Sequence, residues 1–94
     1  MPPVTITIKV PPPLRAYSGG ASELTLAGAS VRSILEQLER SHPALYRNVC
    51  DETGKVRSHM NVFVNTAHIR DRAGLDTPLS PGDVVTIFPA VSGG

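Results

Sequence analysis

The chain has 94 residues, a length that suits one domain with a single hydrophobic core. A formal net charge of +1 and the lack of any basic block give no basis for nucleic-acid binding, and no apolar stretch is long enough to act as a signal or to span a bilayer. One cysteine, Cys50, rules out an intramolecular disulfide, so a soluble cytoplasmic protein is the expectation.

Val4, Ile6, Ile8 and Val10 alternate with Thr5, Thr7 and Lys9. That period of two, rich in β-branched residues, predicts a half-buried strand. Pro11-Pro12-Pro13 ends it, because proline offers no ladder donor. Leu14 to Ser22 reads as a loop turning at Gly19-Gly20, and Glu23 to Ala27 as a short second strand antiparallel to the first.

Ser30 has the character of a helix N-cap. Val31, Ile34, Leu35 and Leu38 follow at helical spacing and form an apolar stripe, while Arg32, Glu36, Gln37, Glu39 and Arg40 face water. Pro43 closes this helix near Ser41-His42. Ala44 to Cys50 is expected to add a turn or two of irregular helix, and residues 51–55 a polar loop. Met60 to Asn65 predicts a third strand, residues 65–67 a turn, and His68-Ile69-Arg70 a short fourth strand. Leu75 to Leu79 reads as a connecting turn and Ser80-Pro81-Gly82-Asp83 as a tight one. Val84 to Phe88 is the last strand, followed by the small-residue tail Pro89 to Gly94.

Strand, strand, helix, strand, short strand, strand is the order of an α+β fold. One amphipathic helix covers one face of a mixed sheet of four to five strands, the ubiquitin-like β-grasp. Residues 1–88 make the domain, and residues 89–94 make a flexible C-terminal Gly-Gly tail.

No conventional active site is legible. His42, His59 and His68 lack ligand spacing, so no metal site is expected. Cys50 has no local motif and reads as a small hydrophobe under a loop. Neither glycine pair fits a phosphate-binding loop, so no bound cofactor is expected. Lys55, Arg57, His59, Arg70 and Arg72 read as solvated charges beside acidic neighbours rather than as one basic edge.

The tail is different. Two glycines close a chain by chance in about one sequence in two hundred, and here they follow directly on a final strand. Glycine lacks Cβ, so it threads a narrow channel and takes any φ/ψ the channel imposes. Extended, six residues reach about 20 Å. A free carboxylate is a poor acyl donor, but adenylation supplies AMP as leaving group, and a sulfur nucleophile then leaves a thiocarboxylate. Gly94 is therefore the candidate reacting residue, with Gly93, Ser92 and Val91 as the arm that a partner grips.

The strand register adds a second clue. Val85 and Ile87 share the helix-facing side of the last strand, so Val84, Thr86 and Phe88 point away. Val62 and Val64 do the same in the third strand, turning Phe63 outward. If the two strands are neighbours, Phe63 and Phe88 form one exposed aromatic patch, the kind of feature that marks a partner surface. The alternative is that one or both fold under the 14–22 loop.

The stretch Gly82-Asp83-Val84-Val85-Thr86-Ile87-Phe88-Pro89-Ala90-Val91-Ser92-Gly93-Gly94 resembles the ending of the MoaD/ThiS family of sulfur carriers. Val10 to Gly20, with its Leu14-Arg15 loop, and Asn61 to Asn65 extend the likeness over nearly the whole chain. Within the family, Arg70, Gly74-Leu75 and the Pro-Ala-Val-Ser-Gly-Gly ending look most similar to the cysteine-biosynthetic (CysO-like) carriers. The resemblance implies a protein cosubstrate rather than an enzyme. It implies a ubiquitin-activating-type partner that spends ATP to adenylate Gly94, and an acceptor such as a pyridoxal-phosphate cysteine synthase. A metalloprotease would release the product. The small subunit of molybdopterin synthase, working with its large subunit, shares the Phe-Pro-x-Val-x-Gly-Gly ending. A ubiquitin-like protein modifier joined through Gly94, and a plain binding module, are the remaining alternatives. The residues from Cys50 to His59 depart from the shorter family members.

Overall fold

A computed structural model of the chain describes residues 4–89. The expected tail residues Ala90 to Gly94 lie outside the described residues, so the proposed domain–tail division at 88/89 is not addressed by them.

Five strands form one sheet in the order β2-β1-β5-β3-β4. β1 (Thr5–Lys9) and β2 (Glu23–Ala27) form an antiparallel pair, β1 runs parallel to β5 (Val84–Pro89), and β5 is antiparallel to β3 (Met60–Val64). β4 (Ala67–His68) closes the far edge against β3. The parallel β1–β5 pair requires a crossover, and the two helices supply it.

The helices and the inner sheet face enclose the core. Alternation does the sorting. Ile6, Ile8, Val62, Val85 and Ile87 are fully buried on one face, and Val31, Ile34 and Leu38 of α1 (Val31–Ser41) are fully buried against them. Ser30 caps α1 reciprocally: its Oγ accepts from the Ser33 N–H at 3.2 Å, and Ser33 Oγ accepts from the Ser30 N–H at 3.0 Å. Gly28 lies just before this turn, and a Cβ there would sit 3.1 Å from Ile34 N, which is why the approach is made on glycine.

Four local expectations are corrected. The 14–22 loop is largely a 3-10 turn, Pro12–Ser18, because the fixed φ of the prolines suits its first residues and buried Leu14 anchors it. Pro43 ends α1 but also begins a regular helix, α2 (Pro43–Val49), where its missing N–H costs nothing in the first turn. Leu45 and Val49 bury that helix. The fourth strand is Ala67–His68 only, since Ile69–Asp71 curls into a 3-10 turn that buries Ile69. Residues 74–76 form another such turn.

The insert around Cys50 to His59 is also accounted for. Asp51 accepts from the backbone N–H groups of Thr53 and Lys55 and from the Thr53 hydroxyl, and the Thr53 hydrogen bond chiefly holds its carboxyl below the usual carboxylate range. Cys50 pairs with Val56 in an isolated bridge that closes the loop. No helix among the described residues is long and apolar enough to cross a membrane.

Candidate functional site

The open face of the sheet carries the candidate site. Period two sends Phe88 and Thr86 of β5, and Phe63 and Asn61 of β3, to the side opposite the helices. In the ladder Phe63 stands opposite Thr86 and Asn61 opposite Phe88, so Phe63 and Phe88 are diagonal neighbours. Their rings meet edge to face, with centroids 6.2 Å apart. Phe88 remains 50% exposed, although it occupies the central strand of the sheet. Phe63 is half-buried. Phe88 lines a groove with Pro12, Arg15 and Ser22 while staying half exposed, so the 14–22 segment borders it without covering it.

No local pattern places His68 here; the hairpin does. β4 pairs His68 with Phe63, and the imidazole packs edge-on against the phenyl ring at 5.0 Å. His68 Nδ1 accepts from the Arg70 N–H at 3.1 Å, which assigns the proton to Nε2. Nε2 then donates to Asn61 Oδ1 at 3.0 Å. The Asn61 carboxamide is thereby oriented by its Oδ1, on the residue that stands opposite Phe88 in the ladder. Asn61 was findable by its period with Phe63. His68 was not, because its place depends on the two-residue turn at Asn65-Thr66.

That turn also fixes the start of the last strand. Asn65 adopts a left-handed φ of 55°. Its Oδ1 accepts from the Val84 N–H at 3.1 Å, and its Nδ2 donates to Asp83 Oδ1 at 3.2 Å. The other Asp83 oxygen accepts from the Ser80 N–H at 2.8 Å, and Gly82 takes a φ of 86° to close the turn. The Gly-Asp pair before the strand is thus the device that sets β5 in register, and with it the outward position of Phe88.

The remaining candidates sort as follows. Arg57 and Arg70 line one groove with Met60, Asn61 and His68, whereas Arg72 lines another beside Asn65. Lys55 and His59 line neither, so the five basic residues do not converge. Arg57 is committed locally, its Nε donating to the Arg47 carbonyl. Cys50 is 1% exposed, and burial pushes its thiol up to about 11. No group of three His, Cys, Asp or Glu among the described residues is placed to hold a metal ion. Gly94, Gly93, Ser92 and Val91 fall outside the described residues.

The comparisons with known proteins agree with this architecture. The ThiS family model matches residues 8–94. The chain is 31% identical over 93 residues to "Sulfur carrier protein CysO" of Mycobacterium tuberculosis, covering 97% of this chain and 100% of that protein. It is 35% identical over 66 residues to "Small archaeal modifier protein 3" of Haloferax volcanii, covering 70% of this chain and 71% of that one. Among solved structures, a chain of the BexX/CysO complex of Amycolatopsis orientalis superposes with a TM-score of 0.86 at 34% identity, covering 95% of this chain and 99% of that chain. With a β-grasp sheet, a matching family model and full-length likeness to a carrier, the chain belongs to the ThiS family of ubiquitin-like sulfur-carrier proteins.

Proposed function

We propose that this protein carries sulfur as a thiocarboxylate on Gly94 and delivers it in biosynthesis, with cysteine as the product. One observation above all supports the reading. The Phe63–Phe88 pair, on the open face of the sheet, lies where β5 ends at Pro89, at the foot of the family-matched segment that runs to Gly94. An enzyme that seats this aromatic pair meets the acyl end within reach, since five residues span at most about 17 Å.

The chemistry follows from the carboxylate. A Gly94 oxygen attacks the α-phosphorus of ATP held by a ubiquitin-activating-type partner, and pyrophosphate leaves. A sulfur nucleophile attacks the activated acyl carbon, the bond to the AMP oxygen breaks, and a C–S bond forms. The carrier binds no cofactor of its own in this scheme. A pyridoxal-phosphate enzyme with an activated serine is the acceptor, and a metalloprotease releases cysteine from the tail. The carrier is a cosubstrate in each step.

Intact-mass measurement tests the proposal directly. Incubation with an activating partner, ATP and a sulfur source is expected to add about 16 Da at the C-terminus, sulfur replacing oxygen. An unchanged mass under conditions where the partner turns over would refute it. The likeness to a small archaeal modifier favours a second reading, conjugation of Gly94 to lysines. Gly-Gly remnants on lysines of cellular proteins would establish that role.

A further inference from the structure

Among the described residues, the outer edge of β2 is an unpaired ladder. The Val10 N–H donates to the Ser22 carbonyl, and the Gly28 N–H to the Val4 carbonyl. Even-numbered residues of β2 therefore face β1, in step with the register Ile8↔Leu24 and Ile6↔Leu26. Glu23, Thr25 and Ala27 turn their N–H and C=O groups the other way, and no described strand lies beyond β2. Natural sheets blunt such an edge with proline, lysine, a bulge or a covering element. Glu23-Leu24-Thr25-Leu26-Ala27 has no proline and no lysine, and its pairing with β1 runs in register without a bulge.

The surroundings favour one occupant. The charged flank of α1 is turned toward the opposite side of the domain, where Arg32 meets Asp76 and Glu36 and Glu39 lie beside Leu75. Helical spacing leaves Ser33, Gln37 and Ser41 on the β2 flank, with Arg40 on the crest between the two flanks. Glu23 is then the only charge on the strand. Leu24 and Leu26, on the helix side of β2, are only half-buried.

We propose that this edge binds a second copy of the chain, the two β2 strands pairing antiparallel about Thr25 to join two sheets of five strands into one. The sequence is self-complementary in that register. Thr25 faces Thr25 of the partner subunit, Leu24 faces Leu26 of the partner subunit, and Glu23 faces Ala27 of the partner subunit. All six outward backbone groups of each strand find partners, and the half-buried leucines gain cover. The two Glu23 carboxylates stand about 14 Å apart along the strand axis, so no like charges meet. Glu23 stands opposite Lys9 in the β1–β2 ladder, so the strand's one charge already has an opposite charge beside it within the domain, and a second copy brings no unmatched charge to the edge. β5 is separated from the edge by β1, so both Phe63–Phe88 patches stay open. A single strand pair is smaller than a standard interface of about 1,600 Å², so the association is reversible and concentration-dependent.

Sedimentation equilibrium tests this on the full chain. The weight-average mass is expected to climb from 10.0 kDa toward twice that value between about 10 μM and about 1 mM. Thr25→Pro removes an outward N–H without touching the β1 ladder, and it is expected to hold the mass at that of one chain. Thr25→Lys places two cations face to face at the symmetry axis and serves if the proline variant fails to fold. The exchange rate of the Thr25 amide is expected to fall with concentration in the wild type and not in Thr25→Lys. A wild type that stays monomeric throughout overturns the proposal, as does a Thr25→Lys variant that associates as the wild type does. Protection of the Thr25 amide only on adding a different protein assigns the edge to that protein and equally overturns self-pairing.

Discussion

His68 and Asn61 are joined by a hydrogen bond of 3.0 Å across the short β3–β4 hairpin, and this bond ties the edge of the sheet to its aromatic face. The same imidazole packs against Phe63, which in turn meets Phe88. Four side chains from three strands thus form one connected surface on the side of the sheet away from the core.

Phe88→Ala is expected to weaken binding of the activating partner at least tenfold while lowering stability by about 1 kcal/mol or less. The ring is half exposed, so its removal empties little core, whereas central aromatic residues of an interface commonly carry about 2 kcal/mol or more. Calorimetric titration beside urea unfolding separates the two effects. A large drop in stability with unchanged affinity would assign Phe88 to the fold.

His68→Ala is expected to lower the same affinity by a smaller factor, because it frees the Asn61 carboxamide and unpacks one edge of Phe63. A pair of surface contacts of this kind is worth about 1 kcal/mol. Nitrogen chemical shifts of the free protein provide the structural check: in the neutral imidazole the proton is expected on Nε2, because Nδ1 accepts from the Arg70 N–H.

Deleting Gly94, or extending the chain beyond it, is expected to abolish thiocarboxylate formation and leave the melting temperature unchanged. The buried core described runs from Ile6 to Ile87, within the folded strands and helices. Intact mass and thermal unfolding on the two variants check both halves. A tail-extended protein that still gains about 16 Da would defeat the terminal-carboxylate chemistry.

Cys50→Ser is expected to leave sulfur transfer intact, since the thiol is buried away from the aromatic face. Its titration gives a second, independent readout. Burial raises the folded-state value from 9.0 to about 11. The unfolded chain therefore loses its proton first, and stability falls by about 1.4 kcal/mol per pH unit as pH rises from about 9 to about 11. Tyr46, raised chiefly by burial, adds to the loss in the same direction at the top of that window. Below pH 9 both groups are protonated in both states, and the contribution is flat. Denaturant titrations of the wild type and Cys50→Ser across that range are expected to show a shallower fall in the variant.

Ser30→Ala is expected to cost about 1 kcal/mol, the usual worth of an N-cap oxygen, with no effect on partner affinity. Ser33→Ala removes the return bond and is expected to cost less. Melting curves provide the comparison.

Local pattern alone carried the four longer strands, the main helix and the outward aromatic pair, because alternation and helical spacing are properties of consecutive residues. Val85 and Ile87 are buried and Phe88 exposed for no deeper reason than period two and one covered face. The family likeness was equally local, since the Gly82-Asp83 turn and the ending through Gly94 are read along the chain. Tertiary structure decided what lies between distant segments. Pro43 reads as a stop from one side and a start from the other, and only the burial of Leu45 and Val49 makes the second helix regular. His68 joins the site because a two-residue turn folds it back onto Phe63, and the β2 edge is open because the chain places no described strand beside it. Periodicity reports which side of its own element a residue takes; which element then covers that side depends on contacts that close long loops, and those form only in the folded chain.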